Sequence, residues 1–305
     1  MDRATAYAPG STSNVGPGFD CLGIAVAGLG DHVTAERGSH EGVRVFSVSD
    51  PRIPKDPRRN TAALAAAAVL RVAGAEALGV ELTVDKGLPL AAGLGGSAAS
   101  AVAGALATSA LVGRPLAPET LLECALEAEA AVAGRHPDNV APSLLGGAVL
   151  VVSIRPLRYA RILVHPAIRF VFAIPDYGVE TAKARSVLAE AVARADAVAQ
   201  SSSLGALVLG LERGDGALLR ASLVDRIAEP HRIPLYPGYP QAREAALSAG
   251  AFGAVVSGAG PTLLAVVPAG REVGVGEAVS EAYARQGILA RVHMAEVDRE
   301  GARLR

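Results

Sequence analysis

The sequence predicts an α+β fold divided between two domains, and three observations support this prediction. The chain has 305 residues, which is enough for about two domains with ample cores. Segments with the two-residue alternation of strands occur along the whole chain and are interleaved with Ala-rich segments typical of helices. The composition changes near Arg155-Pro156, so we expect a first domain over residues 1–155 and a second over residues 156–305.

The first half of the chain is predicted to contain strands and three helices. From alternation and β-branched content we expect strands at residues 4–8, 32–36, 43–48, 79–86 and 147–153, and helices at about residues 61–72, 98–111 and 118–133. Asn60 precedes the first of these helices, and its side chain is of the kind that accepts hydrogen bonds from the free N–H groups of a first turn. Glycines and small polar residues predict a loop over residues 11–23.

The second half is predicted to mix strands and helices more evenly. We expect strands at residues 159–164, 169–174, 254–256, 263–267 and 290–296, and helices at residues 179–200, 240–248 and 272–286. The last four of these elements run strand, strand, helix, strand. This order suits a ferredoxin-like α+β domain.

The central stretch of the chain joins a predicted strand to a predicted helix through a glycine-rich loop. It reads Pro-Leu-Ala-Ala-Gly-Leu-Gly-Gly-Ser-Ala-Ala-Ser over residues 89–100. Glycines carry no side chain and tolerate positive φ, so backbone N–H groups can converge on one point. The helix that follows presents its unpaired N–H groups and the positive end of its dipole to the same point. The stretch therefore predicts an anion site, for which phosphate is a common occupant.

Two common phosphate-binding motifs do not fit this loop. A P-loop requires a Lys after its last glycine, but Gly96 and Ser97 follow Gly95 here. A dinucleotide-binding loop is followed about twenty residues later by an acidic residue, and residues 112–118 contain none. A glycine-rich turn before a packed helix remains as a purely structural alternative.

Composition and charge argue against several classes of function. The formal net charge is −1 without blocks of like charge, so we expect no binding to nucleic acid or to an acidic membrane surface. The two distant cysteines, Cys21 and Cys124, suit a reducing compartment, and with no signal peptide evident we expect a cytoplasmic protein. Residues 87–113 are uncharged and long enough to span a bilayer, but their Gly, Ala and Ser content favours a buried loop and helix.

The glycine-rich loop and two other stretches resemble, in order, the three signature motifs of the GHMP kinases. These stretches are residues 11–23, residues 89–99 and residues 257–262, and the second has Gly96 where the usual Gly-Leu-Gly-Ser-Ser has its first Ser. The resemblance implies a two-domain GHMP kinase fold, with a ribosomal S5 domain 2-like N-terminal domain and a ferredoxin-like C-terminal domain. It also implies ATP as the phosphoryl donor. The residues it assigns to ATP are Pro89, Leu90, Ala91, Ala92, Gly93, Leu94, Gly95, Gly96, Ser97 and Ala98, with Asn60 near the adenine base.

The resemblance further implies Mg²⁺ beside the ATP phosphates. In the family a Glu about two turns before a His-x-Asp-Asn motif binds this metal, and Glu129 fits that spacing best. Glu127, on a different face of the same helix, is the alternative. Because Mg²⁺ is bound by one or two carboxylates together with hydroxyl, water and phosphate oxygens, Ser97 and Glu129 supply a suitable pair of ligands.

Two further stretches read Thr-Ala-Lys-Ala-Arg over residues 181–185 and Glu-Pro-His-Arg over residues 229–232. They resemble segments of the homoserine kinase branch of this family and imply an amino-acid substrate. Asp20, in the first motif, is able to pair with an α-ammonium group, whereas Arg185 and Arg232 are implied to clamp the α-carboxylate. The remaining substrate contacts that the resemblance implies are Asn14, Asp138, Asn139, Thr181, Gly258 and Gly260.

The stretch His-Pro-Asp-Asn-Val-Ala-Pro, residues 136–142, followed by Gly146-Gly147, is the most specific of these strings. An ungapped match counted back from Gly146 puts Asn139 where mevalonate kinase and galactokinase hold an Asp general base. An amide cannot accept the proton, so the resemblance implies a reaction without a dedicated carboxylate base. Asn139 and His136 are the candidate catalytic residues: Asn139 would orient the hydroxyl, while His136 and Asp138 hold the loop or touch substrate.

The resemblance therefore implies ATP-dependent phosphorylation of the side-chain hydroxyl of L-homoserine, a step of threonine biosynthesis in that family, by a homodimer. A mevalonate- or sugar-type GHMP kinase is the alternative among enzymes, and it should carry a carboxylate base and need no paired arginines. A binding member without catalysis is the alternative from another class, and it should have lost Ser97 or the metal-binding Glu.

Overall fold

Two β-sheets organise the part of the chain that the computed structural model describes, residues 2–113, 115–132 and 134–305. The larger sheet contains β1 (Arg3–Asn14), β2 (Gly18–Gly38), β3 (Val43–Val48), β4 (Gly79–Asp85), β5 (Ala148–Ile154), β6 (Leu157–Ile162) and β11 (Arg303–Leu304). The smaller sheet contains β7 (Ile168–Pro175), β8 (Gly253–Val256), β9 (Leu263–Pro268) and β10 (Ala290–Ala295).

The larger sheet has the order β11-β1-β2-β4-β3, and β5 pairs with the far part of β2 and with β6. Its pairs are antiparallel except β3 with β4. The smaller sheet is antiparallel with the order β10-β7-β9-β8. Strands and helices are thus segregated into layers rather than into repeated parallel units, and the predicted α+β class is confirmed.

The helices cover these sheets. They are α1 (Thr61–Ala73), α2 (Gly96–Val112), α3 (Pro118–Val132), α4 (Pro137–Leu145), α5 (Thr181–Ser186), α6 (Arg194–Arg213), α7 (Gly216–Ser222), α8 (Glu229–Arg232), α9 (Tyr239–Ser248) and α10 (Glu272–Ala284). Helices α2 and α4 contact β1 and β2, whereas α9 and α10 pack on the smaller sheet. Among the described residues we find no helix with the combination of length and apolar character that a bilayer span needs.

Helix α2 is the element that carries the glycine-rich loop into the core. It is buried on nearly every side by small residues, which is why its sequence lacks a polar face. A Cβ on Gly104 would lie 2.6 Å from the carbonyl oxygen of Ala62, so this glycine allows α1 to approach α2 closely. The uncharged stretch that might have suggested a membrane span is therefore a loop and a helix in the protein core.

The structure contradicts the predicted loop over residues 11–23. Strand β1 continues to Asn14, β2 begins at Gly18, and a tight turn over residues 15–17 joins them. The polar side chains of Ser11, Thr12 and Ser13 are buried within β1 and not solvated. The hydroxyls of Ser11 and Ser13 bond to Asn139 in α4, and that of Thr12 accepts from Ser257. The polar composition that suggested a loop therefore has a different cause.

The predicted helix over residues 179–200 is also wrong, because two helices occupy it. Helix α5 ends at Ser186 and α6 begins at Arg194. No residue of the intervening segment 187–193 is buried, although its composition favours a helix. Helix propensity without an apolar surface to pack against is weak, which accounts for the break.

Other differences are smaller. Helix α3 follows its prediction to Val132, and the predicted last residue, Ala133, lies outside the described residues. Helices α4, α7 and α8 and strand β11 were not predicted. The hairpin of β5 and β6 crosses residues 155 and 156, and β11 returns to pair with β1. The division into domains 1–155 and 156–305 stays a prediction.

Candidate active site

A cleft of about 520 Å³ brings together most of the residues that the sequence analysis singled out. Its lining includes Asn14, Asp20, Asn60, residues 89–97, Glu129, His136, Asp138, Asn139, Thr181, Arg185, Arg232 and Gly258. Two parts of it differ in chemistry. We call residues 93–97 with Lys86 and Glu129 the phosphate wall, and Asp20, His136, Arg185 and Arg232 the charged wall.

The glycine-rich loop adopts the conformation that its composition predicts. Gly93 and Gly95 have φ values of 75° and 64°, and α2 begins immediately after them at Gly96. A Cβ on Gly95 would clash with the hydroxyl of Ser11, and one on Gly93 would clash with the carbonyl oxygen of Ser257. Both glycines are therefore required by close approach as well as by positive φ. A loop of this kind lets backbone N–H groups converge on a bound anion.

The three glycine-containing stretches are bonded to one another. The backbone N–H of Ser11 donates to the carbonyl of Leu94 over 3.1 Å, and that of Gly258 donates to the carbonyl of Ser13 over 3.0 Å. The hydroxyl of Ser257 donates to the carbonyl of Gly93 over 2.7 Å. These bonds fix the phosphate loop from both neighbouring stretches, so the loop is held in one conformation rather than left open to solvent.

A buried ion pair lies under the phosphate loop and was not predicted. Lys86 pairs with Asp31, and the Lys86 ammonium also donates to the carbonyl of Gly96 over 2.7 Å and to the hydroxyl of Ser100 over 3.0 Å. Asp31 accepts the N–H of Leu88 as well, over 3.2 Å. The pair therefore ties both ends of the loop to the sheet. The sequence contained one indication of this role for Lys86. It is one of few lysines in the chain, and it stands at the end of β4 next to the loop.

Glu129 lines the cleft next to Ser97. Its Oε1 accepts a 2.8 Å hydrogen bond from Ser97, while its Oε2 is buried without a hydrogen-bond partner among the described residues. Burial is the main cause that raises the pKa of Glu129 to about 7. An orphaned carboxylate oxygen beside a hydroxyl fits Mg²⁺. Glu127, in contrast, forms an exposed ion pair with Arg71 over 2.6 Å.

The described residues contain no cluster of three or more His, Cys, Asp or Glu side chains able to hold a metal. A site built from Glu129 and Ser97 alone needs oxygen ligands from another source, and phosphate oxygens are the usual one for Mg²⁺. The residues present therefore fit a metal that arrives with a nucleotide triphosphate.

The charged wall centres on an ion pair between Arg185 and Asp20. Arg185 binds this carboxylate through both terminal nitrogens, with Nη2 to Oδ1 at 2.6 Å and Nη1 to Oδ2 at 3.1 Å. Arg185 also donates to Nδ1 of His136 over 3.1 Å, since a guanidinium has no acceptor atom. The ring of Phe19 lies under both arginines, 5.8 Å from the guanidinium carbon of Arg185 and 5.4 Å from that of Arg232.

Arg232 is held without a carboxylate partner among the described residues. It is 3% exposed and donates to the backbone carbonyls of Ala184 (3.0 Å) and Gly258 (3.1 Å). Burial lowers the pKa of Arg232, although an arginine remains protonated in proteins. Its positive charge is thus available for an anion that enters the cleft.

Asn14 supports Asp20 from behind. Its Nδ2 donates to the carbonyl of Gly258 over 2.8 Å, and its Oδ1 accepts the backbone N–H of Asp20 over 2.9 Å. Asn14, Val15 and Asp20 all have positive φ values, of 69°, 47° and 57°. Such strain in non-glycine residues clusters at functional sites, and for β-branched Val15 it is unusual.

Asn139 and Asp138 lie side by side at the start of α4. The Asn139 amide is held at both ends, because its Oδ1 accepts from Ser11 over 3.2 Å and its Nδ2 donates to Ser13 over 3.1 Å. Asp138 is 1% exposed and its Oδ1 has no hydrogen-bond partner among the described residues. Burial, and after it the charge of Asp20, raises the pKa of Asp138 to about 7.

Of three further predicted contacts, one lines the cleft and two do not. Asn60 caps α1 as expected, since its side chain accepts the N–H of Ala63 over 3.1 Å, and it also donates to the carbonyl of Pro54. Ala98 and Gly260 do not line the cleft. Ala98 is fully buried in the core, and Gly260 lies behind the phosphate loop, where a Cβ would be 2.6 Å from the ring of Tyr236.

Comparison with known proteins agrees with this geometry. The profile described as GHMP kinases N terminal domain matches residues 60–147, and that described as GHMP kinases C terminal matches residues 207–285. A homoserine kinase of Arabidopsis thaliana is 40% identical over 312 residues, which cover 98% of this chain and 83% of the relative.

Solved structures give the same picture. The crystal structure of homoserine kinase from Cytophaga hutchinsonii matches with a TM-score of 0.96 at 37% identity, covering 100% of this chain and 98% of that chain. Galactokinase of Lactococcus lactis, complexed with galactose, matches with a TM-score of 0.73 at 17% identity and covers 99% of this chain and 95% of that chain. The second likeness is one of fold alone.

Proposed function

The chain belongs to the GHMP kinases and to their homoserine kinase branch, and we propose that its cleft transfers the γ-phosphoryl group of ATP to the side-chain hydroxyl of L-homoserine. The product is O-phospho-L-homoserine. One observation carries the proposal: the phosphate wall and the charged wall line the same cleft. A triphosphate and an amino acid can therefore be bound side by side.

The phosphate wall supplies binding and charge stabilisation. The N–H groups of residues 93–97 and the start of α2 suit the triphosphate, and the bonds from Ser11, Ser257 and Lys86 keep them in place. Phosphoryl transfer depends mainly on positioning and on electrostatic stabilisation, so a rigid set of donors is what the chemistry needs.

We propose that Glu129 and Ser97 hold Mg²⁺ together with ATP. Bound there, the metal would neutralise negative charge on the phosphate oxygens. Ionised Glu129 is the form that binds a cation, so its raised pKa means that metal binding must compete with a proton near neutral pH.

The charged wall supplies the amino-acid site. We assign Asp20 to the α-ammonium group and Arg185 with Arg232 to the α-carboxylate, because bidentate arginine pairing suits a carboxylate. His136 orients Arg185 through their hydrogen bond. Asn139, fixed by Ser11 and Ser13, retains one N–H and one lone pair with which to orient the substrate hydroxyl.

No side chain is assigned here as a dedicated base. Asp138 faces the cleft as a further substrate contact, and Thr181 and Gly258 also lie on its lining. We further propose that the protein is a cytoplasmic homodimer whose chain divides into two domains at residue 155.

The test is ATP-to-ADP turnover with Mg²⁺ and a panel of L-homoserine, L-threonine, mevalonate and galactose. The proposal expects strong preference for L-homoserine. Turnover with mevalonate or galactose only would keep the kinase fold and remove the assigned substrate. ATP binding without turnover of any member of the panel would favour a binding protein.

A further inference from the structure

The two groups assigned to the ends of the amino acid are bonded to each other. Asp20 and Arg185 form a bidentate pair, and their side chains are 40% and 35% exposed toward the cleft. Arg232 differs, since it binds two backbone carbonyls and has no carboxylate partner among the described residues. The charged wall therefore contains the Asp20–Arg185 ion pair and, beside it, the positive charge of Arg232, which is held in place by backbone carbonyls.

We propose that the Asp20–Arg185 pair is a selectivity device, which opens only for a ligand that carries both a cation and an anion. This inference rests on the proposed amino-acid substrate. A zwitterion replaces one ion pair by two, because its ammonium group takes Asp20 and its carboxylate takes Arg185. A ligand with a single charge separates the pair and leaves one partner without a counter-charge in a partly desolvated cleft.

The surroundings suit such an exchange. Asp20 is fixed at its backbone, at φ 57°, by the amide of Asn14, so its carboxylate remains in place when its partner leaves. Arg185 lies on the ring of Phe19 and beside His136, and its Nε is buried without a hydrogen-bond partner among the described residues. The guanidinium can therefore turn toward a second anion while it keeps the contact with the ring.

If the ion pairs are exchanged in this way, removal of Asp20 should have an effect that two independent subsites would not produce. If Asp20 only bound the ammonium group, its removal would leave a ligand without that group unaffected. If Asp20 also occupies Arg185, its removal frees the arginine for a carboxylate. A ligand that has the carboxylate and the hydroxyl but no ammonium group should then bind better than before.

The experiment compares the native chain with Asp20→Asn, using L-homoserine and 4-hydroxybutanoate as phosphoryl acceptors. Asn is well suited to positive φ, so the backbone at this position is kept. We expect kcat/KM for L-homoserine to fall by about 100-fold or more, and that for 4-hydroxybutanoate to rise by about 10-fold or more. Asp56→Asn, in the exposed pair Asp56–Arg58, is the matched control and should change neither value.

Equal or lower turnover of 4-hydroxybutanoate by Asp20→Asn would overturn the exchange. If that variant does not fold, Arg185→Met with 3-aminopropan-1-ol gives the reciprocal test, and no gain there would overturn it as well. Turnover of L-homoserine by the native chain is measured in the same assay. Failure of that reaction would reject the proposed function, which separates the two outcomes.

Discussion

The two walls of the cleft bind charge in opposite ways. The phosphate wall relies on backbone N–H groups, and its one strong cation, Lys86, is neutralised by Asp31 beneath the loop. The charged wall relies on side chains, and Arg185 is neutralised by Asp20 at the surface of the cleft. In the phosphate wall the Lys86–Asp31 pair supports the backbone groups that bind the ligand. In the charged wall the two members of the Asp20–Arg185 pair are themselves the groups that bind the ligand.

This difference indicates how each wall discriminates. A backbone site accepts any ligand of the right anionic shape, so its affinity depends on the rigidity of the loop. At a site made of paired side chains, a ligand must replace the ion pair that it breaks with ion pairs of its own. Such a site therefore selects ligands by the arrangement of their charges. Variants of the phosphate wall should therefore alter KM for ATP or kcat, and variants of the charged wall should alter KM for L-homoserine.

The largest effect is expected at Glu129. Glu129→Gln keeps the shape but removes the charge that a metal needs, so kcat/KM should fall by about 1000-fold. Glu127→Gln, two residues away in an exposed pair with Arg71, is the control and should retain native turnover. Comparable losses in both variants, measured by steady-state kinetics, would refute the assignment of Glu129.

The same variant should be more stable than the native chain at alkaline pH. Burial raises the pKa of Glu129 from 4.5 to about 7, so between these two pH values the unfolded chain has released a proton that the folded chain still holds. The native chain therefore loses stability as pH rises across that window, and the loss is complete above about pH 7. Glutamine resembles the protonated acid. Glu129→Gln should therefore unfold with a free energy on the order of 3 kcal/mol higher near pH 8, and with little difference near pH 4.

Thermal unfolding without ATP or metal, scanned across pH, measures this difference. A variant that is equally destabilised at both ends of the pH range would contradict the burial argument.

Arg232 tests the charged wall. Arg232→Met removes a buried cation, so kcat/KM for L-homoserine should fall by about 100-fold, with KM for ATP within about 3-fold of its native value. Arg243→Met is the matched control, because Arg243 also donates to a backbone carbonyl, that of Ala254, but lies away from the cleft. If KM for ATP rose as much as KM for L-homoserine, the two walls would not be separate.

Lys86 tests the loop support. Lys86→Met leaves Asp31 buried without its cation and frees the carbonyl of Gly96, so KM for ATP should rise about 10-fold and stability should fall by about 3 kcal/mol. The double variant Lys86→Met with Asp31→Asn should regain part of the stability but not the affinity. Calorimetric titration with ATP and thermal unfolding separate the two results; full recovery of affinity in the double variant would contradict a supporting role.

The smallest effect is expected at Gly96. A Cβ there would lie 3.3 Å from the Lys86 ammonium, and the site has no need of positive φ. Gly96→Ser, which restores the usual Ser of the family motif, should change KM for ATP by less than about 3-fold, because the backbone N–H groups are unaltered. A larger change would show that the side chain at this position takes part in phosphate binding.

The phosphate wall could be predicted from the sequence because its information is local. A strand, two glycines with positive φ and a helix start all occur within a few residues, and Asn60 likewise caps the helix that follows it. The sequence does not show which residues at the start of α2 face the cleft. Ala98 was placed with ATP although it faces the core, since a motif does not indicate where its helix turns inward.

The charged wall could be predicted only as a list of residues. Nothing in the chain near Asp20 or Arg185 indicates that they are paired, because the two lie on elements far apart in sequence. Lys86 was missed for the same reason, since its partner Asp31 is on β2. The predictions for residues 11–23 and for the helix after Ser186 were wrong because strand β1 and the break in the helix are determined by which residues are buried. Local composition does not show this.

The central claim is tested most directly by identifying the product. The chain, ATP, Mg²⁺ and L-homoserine are mixed, and phosphorus NMR follows the phosphate signals. The account predicts loss of the γ-phosphate signal, equal formation of ADP, and a new phosphomonoester signal coupled to the methylene protons of the former hydroxyl carbon. Formation of ADP with inorganic phosphate only, or no change in the ATP signals, would contradict it.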